Sequence, residues 1–356
     1  MPSIENILKD RVKRLGPMSI KDFFNYVLYD KSKGYYAKKN IIGKKGDFIT
    51  APETSQLFGE MIALWIFLNS NKIYHNKNIN LCELGPGKGT LMKDLLRTIK
   101  KMNKDFYSKI IKVFFLDASL SFYNKLENIF SKTIIEDDIG KLPKGINIII
   151  ANEFFDAIPV NQYVFRNNNW YEKLVYLNKK KEFQFGLSKK EIVPNLFFPN
   201  NPKQNQVFEF SVYIVNLLKT MCNTIKKYGG IILIIDYAKK DKDLYGTLSA
   251  IKEHKHVKPF HKLGKSDISF KPDFGLIAKI AINNDCNFHG PISQSIFLQN
   301  MGIKYRFESL IKANPSLKKS LLLQVQRLTD NKHMGEIFKV ISISNIKEKN
   351  LIGFNE

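Results

Sequence analysis

The stretch LCELGPGKGT, residues 81–90, decides the fold. An apolar run leads directly into three glycines at every second position, Gly85, Gly87 and Gly89, and a predicted helix follows. Glycines at such a turn permit positive φ and allow a ligand to approach the backbone closely. In an open α/β sheet, ligands bind beyond the carboxyl ends of the strands. The stretch therefore predicts a nucleotide-like pocket at the end of a buried parallel strand.

The residues around these glycines indicate the ligand. A phosphate-binding loop would end in Gly-Lys-Ser/Thr after a four-residue spacer, but Lys88 is followed by another glycine. The dinucleotide fingerprint needs glycine where this chain has Thr90, and its helix faces an anionic pyrophosphate. Glu83 adds negative charge instead, which suits S-adenosylmethionine (SAM), a ligand with sulfonium and ammonium groups and no phosphate. The predicted cofactor contacts here are Glu83, Gly85, Pro86, Gly87 and Gly89.

Carboxylates also follow the next two predicted strands. Asp117 ends the run VFFLD, where its oxygens could accept both ribose hydroxyls. Asp137 or Asp138 follows the third strand, where a carboxylate could accept from the adenine amino group. A tight turn with surface acids is the alternative, and the combination of turn and acids favours a SAM site over it.

Short apolar runs alternate with predicted helices through the middle of the chain, as expected for a parallel sheet covered on both faces. The predicted strands are 79–84, 111–116, 133–135, 146–151 and 230–236. Residues 337–344 are also strand-like and predict an antiparallel edge strand. Near the amino terminus, residues 20–29 and 54–68 predict amphipathic helices, the first capped by Ser19.

This pattern predicts a chain of four segments. They are an N-terminal helical and lid region (1–77), the first part of a Rossmann-like SAM-binding domain (78–160), an inserted substrate or partner segment (161–220), and the second part of that domain with substrate-side loops (221–356).

The net charge of +23 suggests a polyanionic partner at first. However, six of the 56 basic residues are Arg and 50 are Lys. Arg dominates specific phosphate and base contacts because of its bidentate fork. The composition therefore favours solvated surface Lys and argues against a nucleic-acid partner, although a functional polyanion surface stays open.

The sequence lacks the patterns typical of a membrane-spanning run, a targeting peptide or a cysteine cluster, and these features bear on the compartment and on metal binding. No apolar run reaches the length of about 18 residues that a spanning helix needs, so no membrane span is predicted. Residues 1–10 lack an apolar core and carry Glu5 and Asp10, which argues against a targeting peptide. The three cysteines are far apart, which indicates neither a metal site nor a disulfide framework. We expect a cytoplasmic protein, or one of the mitochondrial matrix only if a targeting signal is unrecognised.

The block ANEFFDAIPV, residues 151–160, follows the fourth predicted strand. Together with the glycine turn, this block closely resembles the MidA-type methyltransferases, the bacterial relatives of mitochondrial complex I assembly factor 7. Further matching motifs occur in the same order along most of the chain. They include KGYY (33–36), GDFITAPETSQLFGE (46–60), DY (236–237), GTL (246–248), SDIS (266–269) and HMGE (333–336).

The resemblance implies an α/β fold with a Rossmann-like seven-stranded class I methyltransferase sheet, an N-terminal helical region and an inserted α+β segment. It further implies a SAM-dependent protein arginine N-methyltransferase. The implied protein substrate is the 49 kDa-type (quinone-reductase) subunit of NADH:quinone oxidoreductase, whose assembly it would support. Two departures concern the substrate end: Ala238 replaces the glycine of Asp-Tyr-Gly, and Ser249 and Ala250 stand where an arginine is expected.

The acceptor is expected beside residues 152–156, because they leave the end of the fourth strand. A planar guanidinium is best held by bidentate carboxylates, so Glu153 and Asp156 are the predicted catalytic residues. Asn152 could anchor the cofactor or the substrate amide. Negative charge that complements a helix dipole is the alternative role of the two acids. Within the lid-like segment 46–60, Asp47, Thr50 and Glu53 are predicted cofactor or substrate contacts, and Thr50 is the one assigned to the cofactor. A capped helix start is the alternative.

Two alternative functions stay open. One is a SAM-binding assembly chaperone with little turnover. The other is an RNA methyltransferase, which would draw on the positive charge. An Asn-Pro-Pro-Tyr-type motif after strand four would favour a base amine as acceptor, and residues 152–155 lack its prolines.

Overall fold

The computed structural model describes residues 2–37, 50–74, 77–117, 123–252, 255–346 and 351–354. Residues 46–49 of the predicted lid lie outside these ranges. The helices, α1 to α13 in chain order, are Ile4–Leu15, Ile20–Tyr29, Ala51–Thr54, Gln56–Ile73, Thr90–Met102, Lys104–Ser108, Tyr123–Leu126, Val212–Tyr228, Phe274–Ile282, Gln294–Asn300, Ile303–Ala313, Lys318–Thr329 and Met334–Ile337.

The strands, β1 to β15 in chain order, are Met18–Ser19, Ile79–Leu84, Ile110–Leu116, Thr133–Glu136, Ile146–Asn152, Asn161–Arg166, Asn169–Leu177, Phe183–Ile192, Val207–Phe210, Gly230–Tyr237, Ser249–Lys252, Lys255–Val257, Asp267–Ser269, Asn287–Ser293 and Phe338–Ser344.

A seven-stranded sheet with the order β14-β15-β10-β5-β2-β3-β4 confirms the predicted fold class. Strands β10, β5, β2, β3 and β4 pair in parallel, and β15 is antiparallel to β10 and β14. Nearly every residue of β2, β5 and β10 is buried, which explains their continuous apolar sequence.

The position of the last strand differs from the prediction. Strand β15 is antiparallel, as expected, but it lies inside the sheet between β10 and β14 and is not an edge. The edge is β14, whose sequence NFHGPIS gives no clear strand signal because it contains Gly290 and Pro291. Pro is tolerated at sheet edges because no neighbouring strand needs its missing N–H.

Two compact units divide the chain. The sheet unit comprises Ile49–Phe155, Asn216–Ala238 and Pro272–Glu356. The accessory unit comprises Met1–Phe48, Asp156–Val215 and Lys239–Lys271. Each unit is built from segments that are distant in the chain, and the segment boundaries at residues 77, 160 and 220 stay a prediction.

In the sheet unit, α4 and α5 pack against each other and contribute to one continuous apolar core with the sheet. Gly59 allows this approach, because a Cβ there would lie 2.6 Å from the Cβ of Asp94. The predicted helix 54–68 is divided at Ser55, which has an extended backbone and accepts a hydrogen bond from Leu57 N. Helix α3 is therefore separate from α4.

The accessory unit contains a sheet in the order β1-β7-β6-β9, with β8 paired to β7, and a small sheet in the order β12-β11-β13. Helix α2 covers the predicted residues 20–29, and Ser19 Oγ accepts from Asp22 N at 3.0 Å. Its apolar face, Phe23, Phe24 and Val27, is fully buried in the core of this unit.

Within the described ranges, none of the helices combines the length and the apolar character that crossing a membrane requires. The same ranges contain no group of three or more His, Cys, Asp or Glu side chains that could hold a metal ion.

Candidate cofactor site

Strand pairing aligns the ends of the parallel strands. Leu84 lies beside Leu116 on one side and Ala151 on the other, and Leu116 lies beside Glu136. The residues that follow in each strand therefore fall in one row at the carboxyl edge of the sheet. That row contains Gly85, Asp117, Asp137 and Asn152. Residues predicted separately from three strand ends and the glycine turn are thus neighbours in register.

The glycine turn has the backbone geometry that its sequence predicts. Gly85, Gly87 and Gly89 all have positive φ, at 66°, 51° and 72°. The amide of Gly85 donates to Leu116 O at 2.9 Å, which fixes the turn to β3. A Cβ at Gly85 would lie 2.8 Å from the ring of Phe154, so this position also needs glycine for space.

Glu83 is a buried carboxylate beside this turn. Its side chain lies in β2 with only 4% of the residue exposed, and it accepts a hydrogen bond from the Met92 amide in the first turn of α5. Among the described residues, none donates to its Oε2. Burial raises the pKa of Glu83 to about 8, partly offset by the Met92 hydrogen bond. A buried carboxylate with an unsatisfied oxygen fits a cationic ligand, which would favour its ionised form.

The acids after β3 and β4 differ in their surroundings. Asp117 is partly buried, and its amide donates to Glu136 O at 2.9 Å. Asp137 and Asp138 are both exposed. The Asp138 carboxylate accepts from Gly140 N at 2.8 Å and so caps the short 3₁₀ turn Ile139–Lys141. Asp137 is next to Asp117 in the strand register, which makes it the better placed of the two for a ligand at this edge.

Two predicted catalytic residues lie at the carboxyl end of β5: Asn152 is its last residue, and Glu153 begins the turn after it. Glu153 has φ of 51°, an unusual backbone conformation for a residue with a side chain. Its Oε1 accepts from Ala51 N at 3.1 Å and from Asn152 Nδ2 at 3.2 Å. The Asn152 Oδ1 atom is buried and accepts no hydrogen bond from the described residues.

Several groups act on the Glu153 carboxyl. Burial raises its pKa to about 7, and the hydrogen bonds from Ala51 and Asn152 and the charge of Arg327 oppose that rise. Arg327 belongs to α12, which is far from Glu153 along the chain. Nothing local in the sequence indicated that it would face Glu153.

Asp156, the third predicted catalytic residue, belongs to the accessory unit. Its backbone carbonyl accepts from Phe270 N at 3.1 Å. Its charge acts on the Tyr36 phenol together with that of Asp267, whose Oδ1 lies 3.4 Å from Tyr36 Oη. Burial and these carboxylates raise the pKa of Tyr36 well above its ordinary value. Glu153 and Asp156 therefore have different surroundings, although they are close in sequence.

Thr50 is the N-cap residue of α3, but its side chain makes no capping hydrogen bond. Of two other polar residues of the sheet unit, Glu53 was a predicted cofactor or substrate contact, and Asp236 was not among the predicted contacts. Glu53 accepts from Thr90 Oγ1 at 2.5 Å, and Asp236 accepts from the amides of Phe155 and Tyr237 at 2.9 and 2.8 Å. Asp236 is fully buried at the end of β10 and holds the turn after β5. Both occur in the family motifs quoted above, which was the available signal.

The seven-stranded sheet, with a Glu-flanked glycine turn at the carboxyl end of β2, is the class I methyltransferase fold predicted from the sequence. The family model described as "Putative S-adenosyl-L-methionine-dependent methyltransferase" matches residues 61–292. The match covers more than half of the chain, and the protein belongs to this family. Membership confirms the predicted methyltransferase activity and SAM as its methyl donor.

Similar proteins extend beyond the matched segment. The chain is 29% identical to the Drosophila melanogaster protein arginine methyltransferase NDUFAF7 homolog, over 96% of this chain and 84% of the relative. It is 28% identical to human protein arginine methyltransferase NDUFAF7, over 94% and 81%. A Burkholderia thailandensis protein crystallised with S-adenosyl-homocysteine superposes with a TM-score of 0.82 over 99% of this chain and 94% of that one, at 21% identity. This last similarity supports the fold.

Proposed function

We propose that the protein is a protein arginine N-methyltransferase that acts on the quinone-reductase subunit of NADH:quinone oxidoreductase. The observation that carries the proposal is the similarity of 94–96% of this chain to protein arginine methyltransferases of human and Drosophila. In the accessory unit, Asp267 Oδ1 lies 3.4 Å from Tyr36 Oη, and a carboxylate beside an aromatic ring suits a planar cation such as the guanidinium of arginine. The names of the Drosophila and human relatives, both protein arginine methyltransferases, support the same substrate class.

We further propose that the cofactor lies against the glycine turn. Glu83 would face its cationic part, the backbone of Gly85, Pro86, Gly87 and Gly89 would line it, and Asp117 would accept from the ribose. Asp137 or Asp138 and Thr50 are the remaining proposed contacts. The support is the unsatisfied Oε2 of Glu83 and the shared register of Gly85, Asp117 and Asp137.

When bound, SAM would supply an electrophilic methyl group, and the carbon–sulfur bond of that group would break on transfer so that S-adenosylhomocysteine leaves. Asp156 is proposed to accept guanidinium N–H groups, and one guanidinium nitrogen makes the in-line attack. That nitrogen loses a proton when its new bond to carbon forms. Glu153 is proposed to take the proton at Oε2, because its Oε1 is occupied by the hydrogen bonds from Ala51 and Asn152. Its pKa of about 7 is close to the working pH that a general base requires. Asn152 would hold Glu153 in position through the contact of its Nδ2 with Oε1.

The decisive experiment measures the intact mass and arginine modification of the quinone-reductase subunit from cells lacking this gene. We expect methylation to be lost, restored by the unmutated gene, and not restored by Glu153→Gln or Asp156→Asn. An arginine that stays methylated without the gene would contradict the proposed substrate. Normal assembly with catalytically dead variants would contradict a need for turnover and favour the assembly-chaperone alternative. The two named relatives are mitochondrial, whereas the cytoplasmic location of this chain stays a prediction.

A further inference from the structure

Glu53 of α3 contacts both residues that flank Gly89. Its Oε1 accepts from Thr90 Oγ1 at 2.5 Å, and its Oε2 lies 3.4 Å from Lys88 Nζ. Gly89 is the N-cap residue of α5 and makes no side-chain capping hydrogen bond. Glu53 therefore supplies side-chain contacts to the part of the turn where the glycine itself offers none.

Helix α3 is also fixed at its other end. The Ala51 amide, at the start of α3, donates to Glu153 Oε1 at 3.1 Å. Glu153 directly follows β5, and the glycine turn directly follows β2, the parallel neighbour of β5. Residues 51–54, which we call the α3 brace, thus connect the ends of two adjacent strands: the Ala51 amide binds the Glu153 carboxylate after β5, and the Glu53 carboxylate of the brace binds the turn after β2. The brace is a single short turn of helix, so its two contacts lie only two residues apart, at Ala51 and Glu53.

The contacts of Glu53 with Lys88 and Thr90 contribute more to positioning the glycine turn than to the folding stability of the protein. The Lys88 and Glu53 side chains are 29% and 18% exposed, and ion pairs open to solvent contribute little to folding. The hydrogen bond from the Thr90 hydroxyl to an ionised carboxylate is stronger and directional. Thr90 is the first residue of α5, so a hydrogen bond to its hydroxyl restrains the orientation of the turn immediately before it.

We propose that Glu53 is a positioning residue for the cofactor, acting through Thr90 and Lys88 to hold the glycine turn in its binding geometry. The inference rests on the proposed cofactor site at that turn. Glu53 acts on the site from a separate, earlier segment of the chain. Its loss raises the dissociation constant and the KM of SAM, while kcat at saturating SAM stays close to that of the unmutated protein.

The test is a double-mutant cycle on SAM affinity, measured by calorimetry with Glu53→Ala, Thr90→Val and the combined variant. We expect each single change to raise the dissociation constant about tenfold, and the combined variant to be no weaker than the worse single one, because both remove the same contact. Thr90→Ser keeps the hydroxyl and should restore affinity to within about twofold. Glu53→Gln keeps an acceptor for Thr90 and should be intermediate.

Glu60→Gln is the matched control. Glu60 is a buried carboxylate of α4, paired with Arg306 at 2.7 Å. We expect a lower unfolding temperature for Glu60→Gln and unchanged SAM affinity. The proposal is overturned if Glu53→Ala lowers the unfolding temperature but leaves SAM affinity unchanged, or if Glu60→Gln weakens SAM equally. If the proposed cofactor site at the glycine turn is wrong, Gly87→Val will still bind SAM. That result distinguishes a wrong cofactor site from a wrong role for Glu53.

Discussion

The ends of β2 and β5 carry two carboxylates with contrasting surroundings. Glu83 in β2 accepts one backbone hydrogen bond and has an oxygen without a donor among the described residues, and its pKa is about 8. Glu153 after β5 accepts two hydrogen bonds and feels Arg327, and its pKa is about 7. Burial destabilises the ionised form of both carboxyls. At Glu153, two hydrogen bonds and the charge of Arg327 partly offset this effect. The difference indicates that Glu83 needs a cationic ligand more than Glu153 does.

Gly87→Val should disrupt the β2 end most severely. Gly87 has φ of 51°, and a β-branched residue is strongly disfavoured there. We expect no measurable SAM binding by calorimetry, with the helical circular dichroism retained. Gly16→Val is the matched control, because Gly16 also has positive φ, and a Cβ there meets nothing within 4 Å. SAM binding retained by Gly87→Val would contradict the assignment of the turn.

Stability without SAM should decrease less with rising pH in Glu83→Gln than in the unmutated protein. The pKa of Glu83 rises from 4.5 to about 8 on folding, so its contribution to stability is present below pH 4.5 and lost as pH rises through 8. Gln mimics the neutral form. Relative to the unmutated protein, Glu83→Gln should therefore gain about 2–5 kcal/mol in unfolding free energy between pH 5 and pH 9.

Urea unfolding at pH 5, 7 and 9 measures this gain. For Glu153→Gln the gain should be smaller and nearly complete one pH unit lower, because its pKa is about 7. A stability difference that does not change with pH would contradict the raised pKa of the carboxyl concerned.

SAM affinity should separate the two carboxylates directly. At pH 8 we expect Glu83→Gln to weaken SAM binding about tenfold, because an ionised carboxylate facing the cation is lost. Glu153→Gln should change it by less than about twofold, because Gln still accepts from the Ala51 amide. Calorimetry on both variants is the measurement. The reverse order would mean that the two residues exchange roles.

The smallest expected change in SAM affinity concerns the two acids after β4, Asp137 and Asp138. Asp137→Asn should weaken SAM binding about threefold, as expected for one exposed polar contact. Asp138→Asn should change it by less than about twofold, because Asn also caps and the 3₁₀ turn stays intact. Equal losses in the two variants would show that both acids contact the cofactor.

Most of the central sheet was predictable because its strands are continuous apolar runs. Strands β2, β3, β5 and β10 were predicted on that basis and observed close to the expected bounds. Strand β14 was missed because an edge strand is only half buried and tolerates Gly290 and Pro291. That omission also produced the wrong prediction of β15 as the edge. The accessory unit could not be predicted, because it joins three segments that are separated in the chain.

The sequence by itself determined the glycine turn, the acids at the strand ends and the class of cofactor, because backbone conformation and strand burial are local requirements. Only the tertiary structure decided which side chains meet. Glu53 reaches Thr90, Arg327 acts on Glu153, and Asp236 holds the turn after β5, across separations that no short motif encodes. The physical reason is that parallel strands bring their carboxyl ends to one edge, whereas helix packing decides which distant residues cover that edge.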